Sequence, residues 1–134
     1  MKISSKDGTI HFAKGIVSRD LSLPQFIGSS LGRSAKETIS NTDRRHYEFD
    51  PETGISATVF FEGEALDRVL LMMSMPSDSA KIWTEELELQ RKAVHDNWLE
   101  SELGEPPHEY GWGRVVSDYD ARGCVSEIIV VYDR

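Results

Sequence analysis

The 134-residue sequence predicts an α+β fold in which a long amphipathic helix lies across a largely antiparallel sheet, in the order ββ-α-βββ-α-ββ. The last quarter of the chain, residues 112–132, has two alternating apolar stretches around a polar turn, as a β-hairpin does. Just before it, residues 77–103 repeat apolar side chains at helical spacing. No part of the sequence requires a parallel crossover, so neighbouring strands are expected to pair in antiparallel fashion.

Length and composition predict a single domain over residues 1–134. With 39% hydrophobic and 28% charged residues, the chain resembles soluble globular proteins and is long enough to bury one core. Its start lacks the apolar segment of a signal peptide, and no stretch approaches the ~20 apolar residues of a membrane span. The single cysteine, Cys124, cannot form an internal disulfide. We therefore expect a cytoplasmic protein that does not enter a membrane.

The chain is predicted to start with a hairpin. Asp7 and Gly8 form a strong turn pair between strands over residues 2–4 and 9–17. Within the second strand, apolar residues alternate with polar ones, which favours a sheet with one buried face.

A short helix is predicted next, over residues 21–32. Ser22 is suited to the N-cap, a proline falls in the first turn, and Gly32 is suited to the end of the helix. Residues 33–45 are polar and without periodicity, so we expect them to form a surface loop.

Residues 46–75 predict a three-stranded antiparallel meander. Its clearest strand covers residues 55–61, where every second side chain is apolar. In the run 69–75 both faces carry apolar groups, which indicates a strand that is covered on both sides or that faces a partner. We expect the methionines of this run, Met72, Met73 and Met75, to fill the core.

The long helix is predicted to begin at Ser77 or Asp78 and to end at Leu103, because Gly104 and two prolines follow. Five apolar side chains share one stripe of this helix: Ala80, Trp83, Leu87, Val94 and Trp98. We expect the stripe to pack on the sheet while the acidic side chains point to solvent. Replacement of Trp83 by alanine should then be a folding defect.

Acidic residues dominate the charge of the chain. The formal net charge of −8 disfavours nonspecific binding to nucleic acid or to an anionic membrane and is compatible with a basic protein partner. The predicted contact residues for such a partner are Glu85, Glu86, Glu88, Asp96, Glu100 and Glu102. Glu88 could also pair with Lys92 at i,i+4. The alternative is that these acids form a solvated helix face that keeps the protein soluble.

The sequence contains no pattern typical of a metal, cofactor or catalytic site. The four histidines lie in different predicted elements without metal-ligand spacing. Residues 118–123 begin like a calcium loop, but Arg122 and Ile129 occupy ligand positions, which favours a hairpin turn. Nucleophile elbows, phosphate loops and dinucleotide fingerprints are also absent. We therefore expect no metal and no cofactor, and we favour a noncatalytic protein over an enzyme.

Two alternatives to a protein-binding module that uses the acidic helix face stay open. A small-molecule or enzymatic pocket between helix and sheet would use His46, His108, Tyr110 and Trp112. Against this, Trp112 could begin a strand packed beneath the helix, with Tyr110 covering the end of the sheet. A homo-oligomer could instead form through an exposed strand edge or through the methionine-rich strand.

Two features resemble small uncharacterised bacterial proteins of the immunity-protein type. They are the long helix that contains Trp98-Leu99 and the hairpin pattern Trp-Gly-x4-Asp-Tyr-Asp-x-Arg-Gly over residues 112–123. The resemblance covers roughly residues 80–132 and carries over no functional residues. It implies an acidic cytoplasmic protein that occludes the active site of a toxin, its acids facing a basic nuclease surface. The leading expectation is a noncatalytic protein-binding module that binds a basic partner through its acidic face, and an immunity or inhibitor protein is the form of it that the resemblance implies.

Overall fold

A computed structural model describes residues 1–41, 43–80 and 83–134. It confirms the predicted fold class, because a long helix packs against a largely antiparallel sheet. None of the helices in these ranges is both long enough and apolar enough to cross a membrane.

The strands of the described residues form two antiparallel sheets. The smaller sheet, in the order β1-β2-β3, contains β1 (Lys2–Ile3), β2 (Ile10–Phe12) and β3 (Gly15–Val17). The larger sheet contains β4 (Lys36–Ser40), β5 (Arg44–Glu52), β6 (Ile55–Glu62), β7 (Ala65–Met73), β8 (His108–Tyr110), β9 (Gly113–Asp120) and β10 (Val125–Tyr132). Its spatial order is β4-β5-β6-β7-β10-β9-β8, so the last strand of the chain lies at its centre, beside β7.

The expectation that residues 33–45 form a loop is wrong, because they contain β4. This strand pairs with β5 at the edge of the large sheet, with a register shift between Glu37 and Ile39. Its sequence is polar because an edge strand buries little, so no apolar alternation marks it.

Two short helices follow the small sheet, α1 (Leu23–Gly28) and α2 (Ser30–Arg33). Ser22 caps α1 as predicted. Its hydroxyl accepts the backbone N–H of Gln25, and the Gln25 side chain accepts the backbone N–H of Ser22. This reciprocal pair satisfies two donors that a helix start leaves without partners.

The long helix α3 spans Glu85–Leu103 and begins later than predicted. Residues Pro76–Ala80 form a separate 3₁₀ turn, in which the Asp78 carboxylate accepts the Met75 N–H at 2.7 Å. Thr84 is the N-cap of α3, because its hydroxyl accepts the Leu87 N–H. The end at Leu103, before Gly104, is as predicted.

The core lies between the large sheet and a layer made of α1, α2, α3 and the small sheet. Phe26 of α1 is fully buried, with its ring 5.5 to 5.6 Å from the rings of three aromatic residues: Tyr47, Phe49 and Phe61. Beside them, Val69 of β7 pairs with Val130 of β10, and both are fully buried. Burial of these side chains is the main stabilising contribution to the fold.

Strand pleating gives the large sheet a buried face and a second face, which we call the open face. The side chains that alternate with the buried ones are half-buried or exposed for the most part. They are His46, Glu48, Ser56, Thr58, Phe60, Arg68, Leu70, Met72, Arg114, Val116, Asp118, Glu127, Ile129 and Val131. Among the described residues, no helix covers this face.

Candidate functional site

The side of α3 that faces the sheet is largely polar, which corrects the predicted apolar stripe. Its buried residues are Glu88, Arg91, His95 and Leu99. Of the predicted stripe, Trp83 is 52% exposed and Val94 is 39% exposed, while Leu87 and Trp98 are partly buried. The Ala80 side chain lies outside the described part. The expectation that the acids of this helix point to solvent is therefore wrong for Glu88.

Arg91, which is itself buried, is the centre of an ionic cluster beneath α3. Its Nε donates to Oε1 of Glu88 at 3.1 Å, and its Nη1 donates to Oδ2 of Asp78 at 3.1 Å and to the carbonyl of Met73. The hydrogen bond from Arg91 holds the pKa of Asp78 below its usual value. Arg91 thus ties α3 to the 3₁₀ turn and to the end of β7.

Glu88 ties the same helix to β10, and this explains its burial. Its Oε1 accepts the backbone N–H of Ser126 at 3.0 Å, and its backbone carbonyl accepts the Ser126 hydroxyl. A carboxylate stays charged inside a protein only with a cation and donors around it, and Arg91 and Ser126 supply them. The expected pair with Lys92 does not form, because Lys92 donates to Asp96 at 3.0 Å.

His95 is the most deeply buried member of this face of α3. Its Nε2 accepts the backbone N–H of Met73 at 3.1 Å, so the proton of the neutral ring is on Nδ1. In the described residues, Nδ1 has no hydrogen-bond partner. Burial, with Arg91 nearby, lowers the pKa of His95 from 6.5 to about 4. His95 is therefore a neutral packing residue at ordinary pH.

The exposed residues of α3, together with Trp83 just before it, form what we call the outer face of α3. Of the remaining predicted contact residues, Glu85, Glu86, Asp96 and Glu100 are exposed. Glu102 is half-buried and, three residues after Leu99, lies towards the buried side. Three large apolar side chains are also exposed there: Trp83, Leu89 and Val94. Leu89 and Val94 are five residues apart, which is about 140° around the helix.

Three of the four residues of the alternative pocket have packing partners near the end of the large sheet. His108 is buried and its Nε2 lies 2.8 Å from the carbonyl oxygen of Gly104. Tyr110 stacks on Trp112 with ring centroids 5.2 Å apart, and the Trp112 indole donates to the Ser5 carbonyl at 2.9 Å. These contacts support the interpretation that Tyr110 and Trp112 are packing residues. Trp112 packs on the amino-terminal segment, whereas the sequence predicts that it packs beneath the helix.

His46, the fourth residue, is on a different part of the molecule. It lies on the open face of β5, with its ring centroid 4.0 Å from that of Phe60. Strands β6, β7, β10 and β9 separate β5 from β8. The structure therefore does not bring His46 together with His108 and Tyr110 in one pocket.

A notch of about 440 Å³ does lie between α3 and the sheet edge. Its walls combine charged and apolar residues: Lys92, Asp96, Leu99, Glu100, Pro106, Pro107, His108, Glu109, Arg114, Val115, Val116 and Ser117. It forms where the short β8 leaves the remainder of β9 uncovered, and this depends on strand pairing that the sequence does not reveal. Its volume is in the range of small-molecule sites, but Lys92 and Asp96 already pair with each other there.

No group of three histidine, cysteine, aspartate or glutamate side chains in the described ranges is placed to hold a metal ion. A scan against protein-family models found none that matches the chain, and searches of curated proteins and of solved structures found no match either. The resemblance to immunity-type proteins stays an expectation from the sequence.

Proposed function

We propose that the protein is a noncatalytic protein-binding module that contacts a basic partner through the outer face of α3. The observation that carries this proposal is the exposure of Trp83, Leu89 and Val94, at 52%, 47% and 39%. They are half of the six large apolar side chains that are exposed in the described part of the chain. Exposed apolar groups with a polar rim are typical of protein interaction sites, and tryptophan is frequent at their energetic centres.

The charge around these side chains favours a basic partner. Glu86, Leu89 and Glu100 recur at spacings of three and eleven residues, so they lie on one stripe of the helix. Neither glutamate forms an ion pair with another described residue. Complementary charges accelerate association and select among partners.

Some of the predicted acids have structural roles that bear on their use as contacts. Glu85 and Glu86 are in the first turn of α3, where they also stabilise the positive end of the helix dipole. The charge of Asp96 is neutralised by Lys92, and Glu88 is buried against Arg91. Glu100, distant from the helix start, is the acid most specifically suited to a partner. A basic toxin is the class of partner that the resemblance to immunity-type proteins implies.

Tagged capture from the native cell extract tests the proposal with a matched pair of double variants. Glu86→Lys with Glu100→Lys reverses charge on the outer face, and Glu62→Lys with Glu64→Lys makes the same charge change around the β6–β7 turn. We expect the wild-type protein to retain a basic protein that is lost at high salt. The first variant should lose it and the second should keep it.

Two results would contradict the proposal. Retention of the partner by the Glu86→Lys, Glu100→Lys variant would show that the outer face is not the contact. Equal loss in both variants would show that net charge, and not this face, governs capture. Thermal unfolding of each variant checks that the fold is retained.

A further inference from the structure

The open face of the large sheet is unusually apolar at its centre. An antiparallel sheet with one face in solvent normally has polar residues at its outward positions. Here β7 presents Leu70 and Met72, and β10 presents Ile129 and Val131. Of these, Leu70, Met72 and Ile129 are only half-buried, although Val69 and Leu71 on the other face are fully buried.

Strand register arranges the open face in rows that run across the strands. The middle row contains Lys36 on β4, Glu48 on β5, Thr58 on β6, Leu70 on β7, Ile129 on β10 and Val116 on β9, each directly opposite the next. Its members on β7, β10 and β9 are all apolar. These three residues form a continuous apolar strip across three strands.

The two rows beside this strip carry opposite charges. On one side, Arg68 of β7, Val131 of β10 and Arg114 of β9 lie opposite one another. On the other side, Glu127 of β10 lies directly opposite Asp118 of β9. Two arginines and two carboxylates thus flank the strip.

The acidic pair is unfavourable in the isolated chain. Like charges that lie directly opposite each other in a sheet are destabilising. Burial raises the pKa of the Glu127 carboxyl, and the neighbouring Asp118 raises it further. In the described part of the chain, Glu127, Asp118 and Arg114 form no ion pair, whereas Arg68 pairs with Asp67 at 2.8 Å.

We propose that a second copy of this chain packs face to face on the open face, related by a two-fold axis that runs along the middle row. This rotation places the apolar strip against itself and places each arginine row over the acidic row of the other copy. Arg114 then faces Asp118 of the second copy, and the reverse contact is identical by symmetry. The strands of the two sheets remain aligned, as in packed β-sandwiches.

The balance of charge favours a second copy over a different protein. Across β7, β10 and β9, the rows that flank the strip contain two arginines and two carboxylates, so this part of the face is complementary to itself. The net charge of −8 on each copy opposes association, but salt at about 0.15 M screens charges that are more than about 8 Å apart. Because α3 packs on the other side of the sheet, its outer face stays accessible in the dimer. The dimer is therefore independent of the proposed partner.

The mass in solution gives the first test. We expect light scattering to report twice the chain mass of 15.1 kDa. Arg114→Glu should give a monomer, because the introduced carboxylate would face Asp118 of the other copy. Asp118→Arg should also give a monomer, because two arginines would then face each other. Lys2→Glu, which makes the same charge change as Arg114→Glu at an exposed position of β1, should remain dimeric.

Mixing the two monomeric variants gives the decisive result. In the mixed pair, the introduced glutamate faces the introduced arginine, and the unchanged Asp118 faces the unchanged Arg114. We therefore expect a dimer from the mixture and from neither variant alone. Both positions are exposed, so the variants should fold, which thermal unfolding checks.

Four results would overturn the proposal. One is a monomeric wild-type chain at about 0.1 mM, where an interface with a micromolar Kd would be occupied. Another is a dimer of either single variant, and the third is a mixture of the variants that stays monomeric. A wild-type monomer that binds a different protein on this face would also contradict it.

Discussion

The two sides of α3 reverse the usual arrangement of a surface helix. Such a helix normally turns its apolar stripe to the core and its charges to solvent. In this protein Glu88, Arg91 and His95 face the sheet, whereas Trp83 and Leu89 are exposed. The difference shows that polar side chains can orient a helix when they pair with one another and with the neighbouring strands, as Glu88 and Arg91 do. The apolar residues on the outer face are then left exposed to solvent.

Removal of the buried cation Arg91 is expected to cause the largest loss of stability. Arg91→Ala is expected to destabilise the protein by about 3–5 kcal/mol, because Glu88 would remain buried without its counter-charge. Urea unfolding monitored by circular dichroism measures this change. Lys92→Ala is the matched control, because the exposed Lys92–Asp96 pair contributes about 0.3–0.5 kcal/mol. Similar losses of stability in both variants would contradict a structural role for the ionic cluster around Arg91.

Acid should lower the free energy of unfolding, because His95 on the buried side of α3 is protonated more readily in the unfolded chain. The pKa of His95 is about 4 in the folded protein against 6.5 as its ordinary value, so between these values the unfolded chain binds more protons. Stability therefore falls with decreasing pH, by about 1 kcal/mol from about pH 7 to about pH 5.5. The neighbouring charged groups are Glu88, Arg91, Lys92 and Asp96.

A His95→Gln variant isolates this effect from other titrating groups, among them His46, whose pKa burial also lowers. Urea unfolding at both pH values gives the stability of each protein. The variant should lose the share of the pH dependence that belongs to His95. An unchanged pH dependence in the variant would show that His95 does not titrate as its burial predicts.

The sequence predicts those parts of the fold that local signals determine. Ser22 and Gly104 mark helix ends, and the alternation over residues 55–61 marks β6, because each signal acts over a few neighbouring residues. The edge strands β4 and β8 are short and largely polar, and they exist because β5 and β9 offer pairing partners. Pairing of this kind depends on residues that are distant in the chain.

The candidate site shows the same limit. The exposure of Glu86 and Glu100 follows from their place on a solvated helix stripe, and the sequence predicts it. The predicted exposure of Glu88 to solvent is wrong, because a periodicity argument gives no weight to ion pairs inside the protein. The spacing of Glu88 and Arg91 at i,i+3 is the signal that could have identified the pair. The notch at the sheet edge could not be predicted, because it depends on the pairing of the short β8 with β9.

The free energy of unfolding of an outer-face variant tests most directly whether the two sides of α3 have separate roles. The triple variant Trp83→Ser, Leu89→Gln, Val94→Gln should stay within about 1 kcal/mol of the wild-type protein, because surface substitutions have small effects. Leu99→Ala, on the buried side, should lose about 2–5 kcal/mol. A loss in the triple variant as large as that of Leu99→Ala would show that the outer apolar residues belong to the core, and it would contradict the account.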